Sequence, residues 1–273
     1  MPVSPEIKQL LEQQPLDIPV FHSVALKLTV MIPDPFCEID DIVRVINEDQ
    51  ALSAQVLKMA NSSAYMGLVK AETIKASALR LGMRQITALA MTASQQSLHI
   101  SNNAVVSGVM NELWGHSMAC ASGAWWVAQN TGHHGILDHA YLAGLLHDIG
   151  KLYLLKSVEK LLNNKEINVP VDRQLLIDIF SEMHVEQGCR LMDHWNIPPI
   201  YHSVVENHHT EKYDRVDSLL TVVRFVNAAS RNISMSLNPE EAQNSMSIPE
   251  AEILGMDEIK CQKMESVMAS SIT

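Results

Sequence analysis

Apolar residues recur at helical spacing along most of the chain. In residues 39–47 they occupy positions 39, 42, 43 and 46, which lie on one face of a helix. A glycine at position 82 follows one of the later apolar segments, as is typical of a helix that ends at a glycine cap. Comparable patterns occur in residues 51–60, 75–81, 86–98 and 109–127. The pattern therefore predicts a chain built mainly from helices.

Composition supports this prediction and narrows the class of protein. The 273 residues are 47% hydrophobic but only 5% aromatic, and they include 15 Met. Because β-branched runs between turn residues are scarce, we expect a helical core of Leu, Met and Ala. The hydrophobic content is too high for a disordered chain, and no run approaches the roughly 20 apolar residues of a membrane span. The predicted fold class is all-α.

Charge and cysteine usage exclude further classes. The formal net charge of −11 disfavours a nucleic-acid partner, which needs a basic face. The short stripe of Lys75, Arg80 and Arg84 fits a solvated helix face better than a binding surface. The N-terminus lacks the pattern of a signal peptide, and the four cysteines form no C-x-x-C pair. We therefore expect a cytoplasmic protein with reduced thiols and no membrane association.

Charge and turn residues divide the chain into three segments. Residues 1–105 contain several helical patterns and no group typical of catalysis, which predicts an N-terminal helical subdomain. Residues 106–231 contain most of the histidines and predict a second helical subdomain that carries the chemistry. Residues 232–273 are acidic, and their periodicity predicts one helix from Ile248 to Met268.

Histidines are concentrated in the second segment. Ten of the 12 lie between His116 and His209, and packing alone does not require such clustering. His147 and Asp148 directly follow the apolar residues 140–146, where a polar group costs on the order of several kcal/mol unless it is paired or metal-bound. A single histidine in such a place is more often a hydrogen-bonded core residue, but the whole set favours a metal site.

Imidazole nitrogens and carboxylate oxygens are ligands of Zn, Fe, Mn and similar ions. Asp148 has two oxygens and could bridge two ions, which at about 3.5–4 Å apart would activate water for attack on a phosphoryl group. Lys151 would share the helical face of Asp148 and neutralise a phosphate oxygen, or it could be a solvated cation at a helix end. The expected cofactor is one or two divalent ions, with Fe, Mn, Zn and Ni not distinguished.

The order of these residues resembles the HD superfamily of metal-dependent phosphohydrolases. The form His147-Asp-Ile-Gly-Lys151, followed later by His184 and by His208-His209, is similar to its HD-GYP branch of cyclic-dinucleotide phosphodiesterases. Two features depart from that branch. No Gly-Tyr-Pro follows the histidine pair, and Asn227 stands where catalytic relatives carry an aspartate.

A second resemblance, to HDOD domains, spans roughly residues 6–231. HDOD domains are HD-related output domains of bacterial signalling proteins, and this resemblance implies an HD-superfamily helical bundle preceded by a smaller helical subdomain. Its landmarks here are Leu16-Asp-Ile-Pro19, Glu48-Asp-Gln-Ala-Leu52, Ala60-Asn-Ser62, Ile74-Lys-Ala76, Leu81-Gly82, Trp195-Asn-Ile-Pro198 and Glu206-Asn-His-His209.

Together the resemblances imply a metal-ligand set and two candidate functions. The first function is a signal-transduction module with a retained divalent-metal site that acts mainly through protein partners. The alternative is a metal-dependent phosphohydrolase that acts on a nucleotide or cyclic dinucleotide, with Asp148 and Lys151 as catalytic residues. Asn227 brings no negative charge, and we therefore favour the first. The implied ligands are Glu112, His116, His147, Asp148, His184, His208, His209 and Asn227.

Overall fold

All regular structure in the described part of the chain is helical. The structure is a computed structural model, and it describes residues 3–16, 23–31, 34–62, 65, 67–167, 169–237 and 244–271. The all-α prediction is confirmed over these residues. None of the described helices combines the length and the apolar character needed to cross a bilayer. Of the landmark Leu16-Asp-Ile-Pro19, only Leu16 lies inside the described residues.

Contacts between residues separate the chain into two units that differ from the three segments suggested by charge. One unit is Pro19–Leu98, and the other combines Met1–Ile18 with His99–Thr273. Helix α1 (Pro5–Glu12) and the acidic C-terminal segment therefore belong to the larger unit. The functional division at residues 105 and 231 stays a prediction.

The smaller unit contains five helices among its described residues, and four of them coincide, within three residues at either end, with an apolar pattern. The helix predicted over residues 39–47 is confirmed, with Ile42, Val43 and Ile46 buried. Gly82 has a φ of 82°, which favours glycine, and it separates two successive helices. The helices are α2 (Ser23–Met31), α3 (Ile39–Asn47), α4 (Gln50–Ala60), α5 (Ile74–Leu81) and α6 (Met83–Gln96).

In the larger unit a long helix, α7 (Ala104–Asn130), packs against the helix that precedes His147 and against the last helix of the chain. Gly144 permits the first of these contacts, because a Cβ there would lie 2.6 Å from the carbonyl oxygen of Cys120. The later helices are α8 (Leu137–Leu146), α9 (Ile149–Asn163), α10 (Arg173–His194), α11 (Pro199–Asn207), α12 (Ser218–Ala229), α13 (Pro249–Ile253) and α14 (Glu258–Ser270).

Helices α9 and α10 approach each other closely at two glycines. A Cβ on Gly150 would lie 1.9 Å from the carbonyl oxygen of His184 and 2.8 Å from the backbone nitrogen of Gly188. Because no side chain fits between the two backbones, position 150 requires glycine. This contact brings the start of α9, next to Asp148, against the turn of α10 that carries His184.

The prediction of one C-terminal helix from Ile248 to Met268 is wrong, since that stretch forms two helices, α13 and α14. Gly255 between them has a φ of 60°, a conformation that stops a helix of L-residues. Asp257 then starts α14, because its side chain accepts a hydrogen bond from the backbone nitrogen of Lys260.

Candidate metal centre

His147 and Asp148 form the turn between α8 and α9. The apolar residues before and after them are buried, and the turn itself is only 1% exposed at His147 and 2% at Asp148. The expectation of polar side chains at the end of a buried apolar helix is thus confirmed. A carboxylate at this depth needs partners, and the surrounding helices supply them.

Four imidazoles surround the carboxylate of Asp148. Its Oδ2 lies 3.2 Å from Nε2 of His116 and 3.4 Å from Nε2 of His147. Its Oδ1 lies 3.6 Å from Nε2 of His184 and 3.5 Å from Nε2 of His208. The four histidines come from α7, the α8–α9 turn, α10 and the end of α11. Each oxygen of the carboxylate therefore faces its own pair of imidazoles.

Backbone carbonyls fix the orientation of all four rings. A carbonyl oxygen can only accept, so each contacting Nδ1 carries the proton and each Nε2 presents its lone pair to the centre. Such outer contacts are typical of histidines that bind metals. The pairs are His116 with Met235 at 2.8 Å, His147 with Gly144 at 2.8 Å, His184 with Phe180 at 2.6 Å and His208 with Val205 at 2.8 Å.

The residues at the centre fit a divalent cation. Within the described residues, Oδ1 of Asp148 and Nε2 of His184 and His208 are buried without a hydrogen-bond partner. Nε2 of His116 and Nε2 of His147 lie only 3.1 Å apart, so two lone pairs face each other. Unsatisfied buried acceptors destabilise a fold unless a cation or a proton lies between them. One or two metal ions would satisfy all of them.

Electrostatics keep these groups in their ligand forms. Burial raises the pKa of Asp148, but the net pKa lies well below the usual carboxyl range, and the ammonium group of Lys151 is the largest cause that lowers it. Burial lowers the pKa of His184 to about 3 and lowers the pKa values of His116 and His208. Metals bind neutral imidazole and charged carboxylate. At neutral pH, therefore, neither kind of side chain has to release a proton before it binds a metal.

Lys151 lies beside the carboxylate, as its helical spacing predicted. Its Nζ donates to Oδ2 of Asp148 at 2.6 Å, and the side chain is buried. The ammonium thus contacts Oδ2, the same carboxylate oxygen that His116 and His147 face. In the structure Lys151 acts on the carboxylate, which it keeps charged and oriented.

Two further donors adjoin the four imidazoles. The donor atoms of Asp148, His184, His208 and His209 lie within 4.8 Å of one another, and the ring of His209 is exposed. Those of His116, Cys120 and His147 meet the same limit. The sequence predicted only reduced thiols at the cysteines, although the spacing of four between His116 and Cys120 was a signal. Burial raises the pKa of the Cys120 thiol well above its usual value.

Two residues of the implied ligand set are not brought into this cluster by any described contact. Glu112 is about half exposed on α7, and its carboxylate accepts a hydrogen bond from Arg173 at 2.8 Å. Asn227 is half-buried on α12, and its backbone carbonyl accepts from the hydroxyl of Ser230 at 2.7 Å. Their roles as ligands stay predictions.

Comparison with known proteins agrees with the fold. The family profile described as HDOD domain matches residues 18–211. An uncharacterized protein of Treponema pallidum is 26% identical over 238 residues, which cover 84% of this chain and 45% of that protein. The chain thus spans less than half the length of this relative.

Solved structures share the fold. A crystal structure of an HDOD domain protein of unknown function from Geobacter sulfurreducens matches with a TM-score of 0.75 and 19% identity, over 98% of this chain and 95% of that chain. A proposed metal-dependent phosphohydrolase from Shewanella amazonensis matches with a TM-score of 0.69 and 24% identity, over 98% and 99%. A proposed signal transduction protein from Marinobacter aquaeolei matches with a TM-score of 0.70 and 20% identity, over 98% and 63%. The profile match covers well over half of the sequence, and the chain therefore belongs to the HDOD domain family.

Proposed function

We propose that this protein is a signal-transduction HDOD module that holds one or two divalent metal ions around Asp148 and acts mainly through protein partners. The observation that carries the proposal is the convergence of four buried imidazoles on one buried carboxylate, with every Nδ1 bonded to a backbone carbonyl. Such a site contributes to folding, because metal binding to the folded form alone stabilises it. The ligands that fit this geometry are His116, His147, Asp148, His184, His208 and His209.

Burial of the centre supports a structural role for the metal. The side chains of His147 and His208 are 0% exposed, and that of Asp148 is 1% exposed. A catalytic metal keeps a coordination position that substrate can reach, and His209 is the exposed donor at this centre. A metal held in this way would order the helices α7 to α11 and thereby the surface that a partner contacts.

The partner side of the proposal has support from one neighbour. The Marinobacter structure belongs to a proposed signal transduction protein and shares the fold over nearly the whole of this chain. Fold likeness alone does not transfer a partner. The proposed partner is a signalling protein.

The alternative function is hydrolysis of a phosphoester such as a nucleotide or cyclic dinucleotide. It is favoured by the two donor groups on either side of Asp148 and by the name of the Shewanella neighbour. When bound, two ions would supply Lewis acidity and a nucleophilic water. Asp148 would hold the ions together with the histidines around it, and Lys151 would have to turn from Oδ2 toward a phosphate oxygen.

A turnover assay separates the two functions. Protein loaded with Mn, Fe or Ni is incubated with a panel of phosphomonoesters, phosphodiesters, nucleotides and cyclic dinucleotides. The signalling proposal predicts bound metal and no turnover above that of His147→Ala. Turnover that His147→Ala abolishes and the control His134→Ala retains would instead establish the hydrolase, since His134 is exposed and outside the cluster.

A further inference from the structure

Residues beyond the family match support the turn that carries two of the proposed metal ligands. The match ends at residue 211, and Arg224 lies after it on α12. The guanidinium group of Arg224 points at the end of α11. Its Nη1 donates to the carbonyl oxygens of Asn207 at 3.1 Å, His208 at 3.0 Å and Thr210 at 2.9 Å.

These carbonyls are ones that a helix cannot satisfy by itself. The last turn of a helix leaves its carbonyl oxygens without donors from the helix itself, and His208 is the residue that caps α11. Outside the helix, the backbone nitrogen of Thr210 also donates to the carbonyl oxygen of Asn207, at 3.1 Å. A cation at that end also interacts favourably with the helix dipole. Arg224 therefore fixes the backbone from which His208 and His209 project.

Arg224 is itself held by a residue from the C-terminal segment. Its Nε donates to Oε1 of Glu250 at 2.8 Å, and its guanidinium carbon lies 4.1 Å from the centre of the Tyr213 ring. Glu250, on α13, is 5% exposed. A buried carboxylate is costly unless it is paired, and the planar donors of arginine suit this pairing better than the single amine of lysine.

The C-terminal segment, residues 232–273, also contacts the side of the centre on which His116 lies. The carbonyl oxygen of Met235 accepts from Nδ1 of His116 at 2.8 Å. The short turn before Met235 is itself anchored, because the side chain of Asn232 donates to Ser245 and to Glu265, each at 2.8 Å. The C-terminal segment thus supports both ligand pairs from outside the family match.

We propose that Glu250 is a positioning residue of the metal centre, acting through Arg224 on the turn that bears His208 and His209. The inference rests on the proposed metal site and adds a linkage to it. If docking of α13 orders His208 and thereby raises the metal affinity, then bound metal must favour the docking of α13 by the same factor. Metal occupancy is therefore coupled to the C-terminal segment.

The test uses the full chain stripped of metal and then titrated with Mn²⁺ or Zn²⁺. Glu250→Gln keeps the shape of the side chain and removes its charge, and Arg224→Lys keeps the charge but loses the planar set of donors. Glu252→Gln is the matched control, because Glu252 is exposed on the same helix. Outer contacts of this kind typically contribute about 10–100-fold to metal affinity, so we expect weakening in that range for Glu250→Gln and Arg224→Lys, and none for the control.

Hydrogen exchange of the metal-free chain gives a readout that needs no metal. The amides of residues 208–211 should exchange faster in Glu250→Gln than in Glu252→Gln, by more than the change in global stability explains. In the wild type, metal should slow exchange in residues 249–254.

The outcomes are distinguishable. Failure of the wild type to bind metal refutes the proposed metal site, and the exchange comparison still decides whether Glu250 orders the turn. Equal metal affinity in Glu250→Gln and Glu252→Gln, or equal exchange at residues 208–211 in the metal-free variants, would overturn the positioning role.

Discussion

Substitution of Gly150 by alanine tests whether the contact between α9 and α10 builds the metal centre. The new Cβ would lie 1.9 Å from the carbonyl oxygen of His184, whereas ordinary contacts begin at 3.4 Å. The helices must therefore separate by about 1.5 Å, the difference between those two distances. Backbone atoms on the far side cannot rotate away as a side chain can.

The expected cost is at the upper end of what overpacking produces. Inserting a methyl group into a packed interior costs about 1–3 kcal/mol and occasionally more. Because the clash is with backbone, we expect Gly150→Ala to lower the free energy of unfolding by about 3 kcal/mol or more. The separation would also move His184 away from Oδ1 of Asp148, now 3.6 Å distant, so metal affinity should fall as well.

Urea denaturation followed by circular dichroism measures this effect. Gly108→Ala is the control, since Gly108 is exposed on α7 and a Cβ there meets no atom within 4 Å. Alanine is the better helix former, so the control should be stabilised by about 0.5–1 kcal/mol. If Gly150→Ala were as stable as the wild type and kept its metal affinity, the close helix contact would not be what holds the site.

Three further outcomes follow from named contacts. Gly188→Ala should destabilise by only about 1 kcal/mol in the same urea assay, because its Cβ would meet a movable methyl of Val205 at 2.7 Å; a loss as large as that of Gly150→Ala would contradict this. Because the carboxylate of Glu112 pairs with Arg173, Glu112→Gln should leave metal content unchanged, and because that ion pair is exposed, stability should change by less than about 1 kcal/mol; loss of metal in this variant would instead establish Glu112 as the ligand that the resemblance implies. In metal-free protein, burial lowers the pKa of His184 to about 3, against 6.5 in the unfolded chain, although the nearby Asp148 acts to raise it. His184 therefore stays neutral in the fold. The unfolded state therefore binds the extra proton, and stability should fall by about 1.4 kcal/mol per pH unit from this group as pH drops from 6.5 toward 3; urea midpoints that change with pH equally in wild type and His184→Gln would refute it.

Local sequence signals were sufficient to predict several of the helices and the residue pair at the centre of the cluster. The apolar spacing in residues 39–47 and the glycine at 82 are features of neighbouring residues, and both gave correct helix ends. The His147-Asp148 pair could be recognised because a buried charge after an apolar helix is stable only when it is paired or metal-bound. The sequence Gly255-Met-Asp257 is a local signal for the break between α13 and α14, but the apolar spacing on either side of it is also that of one continuous helix.

The outer contacts of the site could not be predicted from sequence. A backbone carbonyl such as that of Met235 exists at every position, so nothing in the sequence indicates that it accepts from His116. The contact of Arg224 with Glu250 joins residues 26 apart that look like ordinary charged residues of separate helices. The pairing of Glu112 with Arg173 depends likewise on how α7 and α10 meet in space.

Metal content per chain tests the central claim most directly. Elemental mass spectrometry is performed on untagged protein that is purified without chelator, together with Asp148→Asn and the exposed-histidine control His134→Ala. The buried carboxylate and its four imidazoles predict one or two equivalents of a divalent metal in the wild type and in His134→Ala, and a loss in Asp148→Asn. No metal in the wild type, or equal metal in Asp148→Asn, would contradict the account.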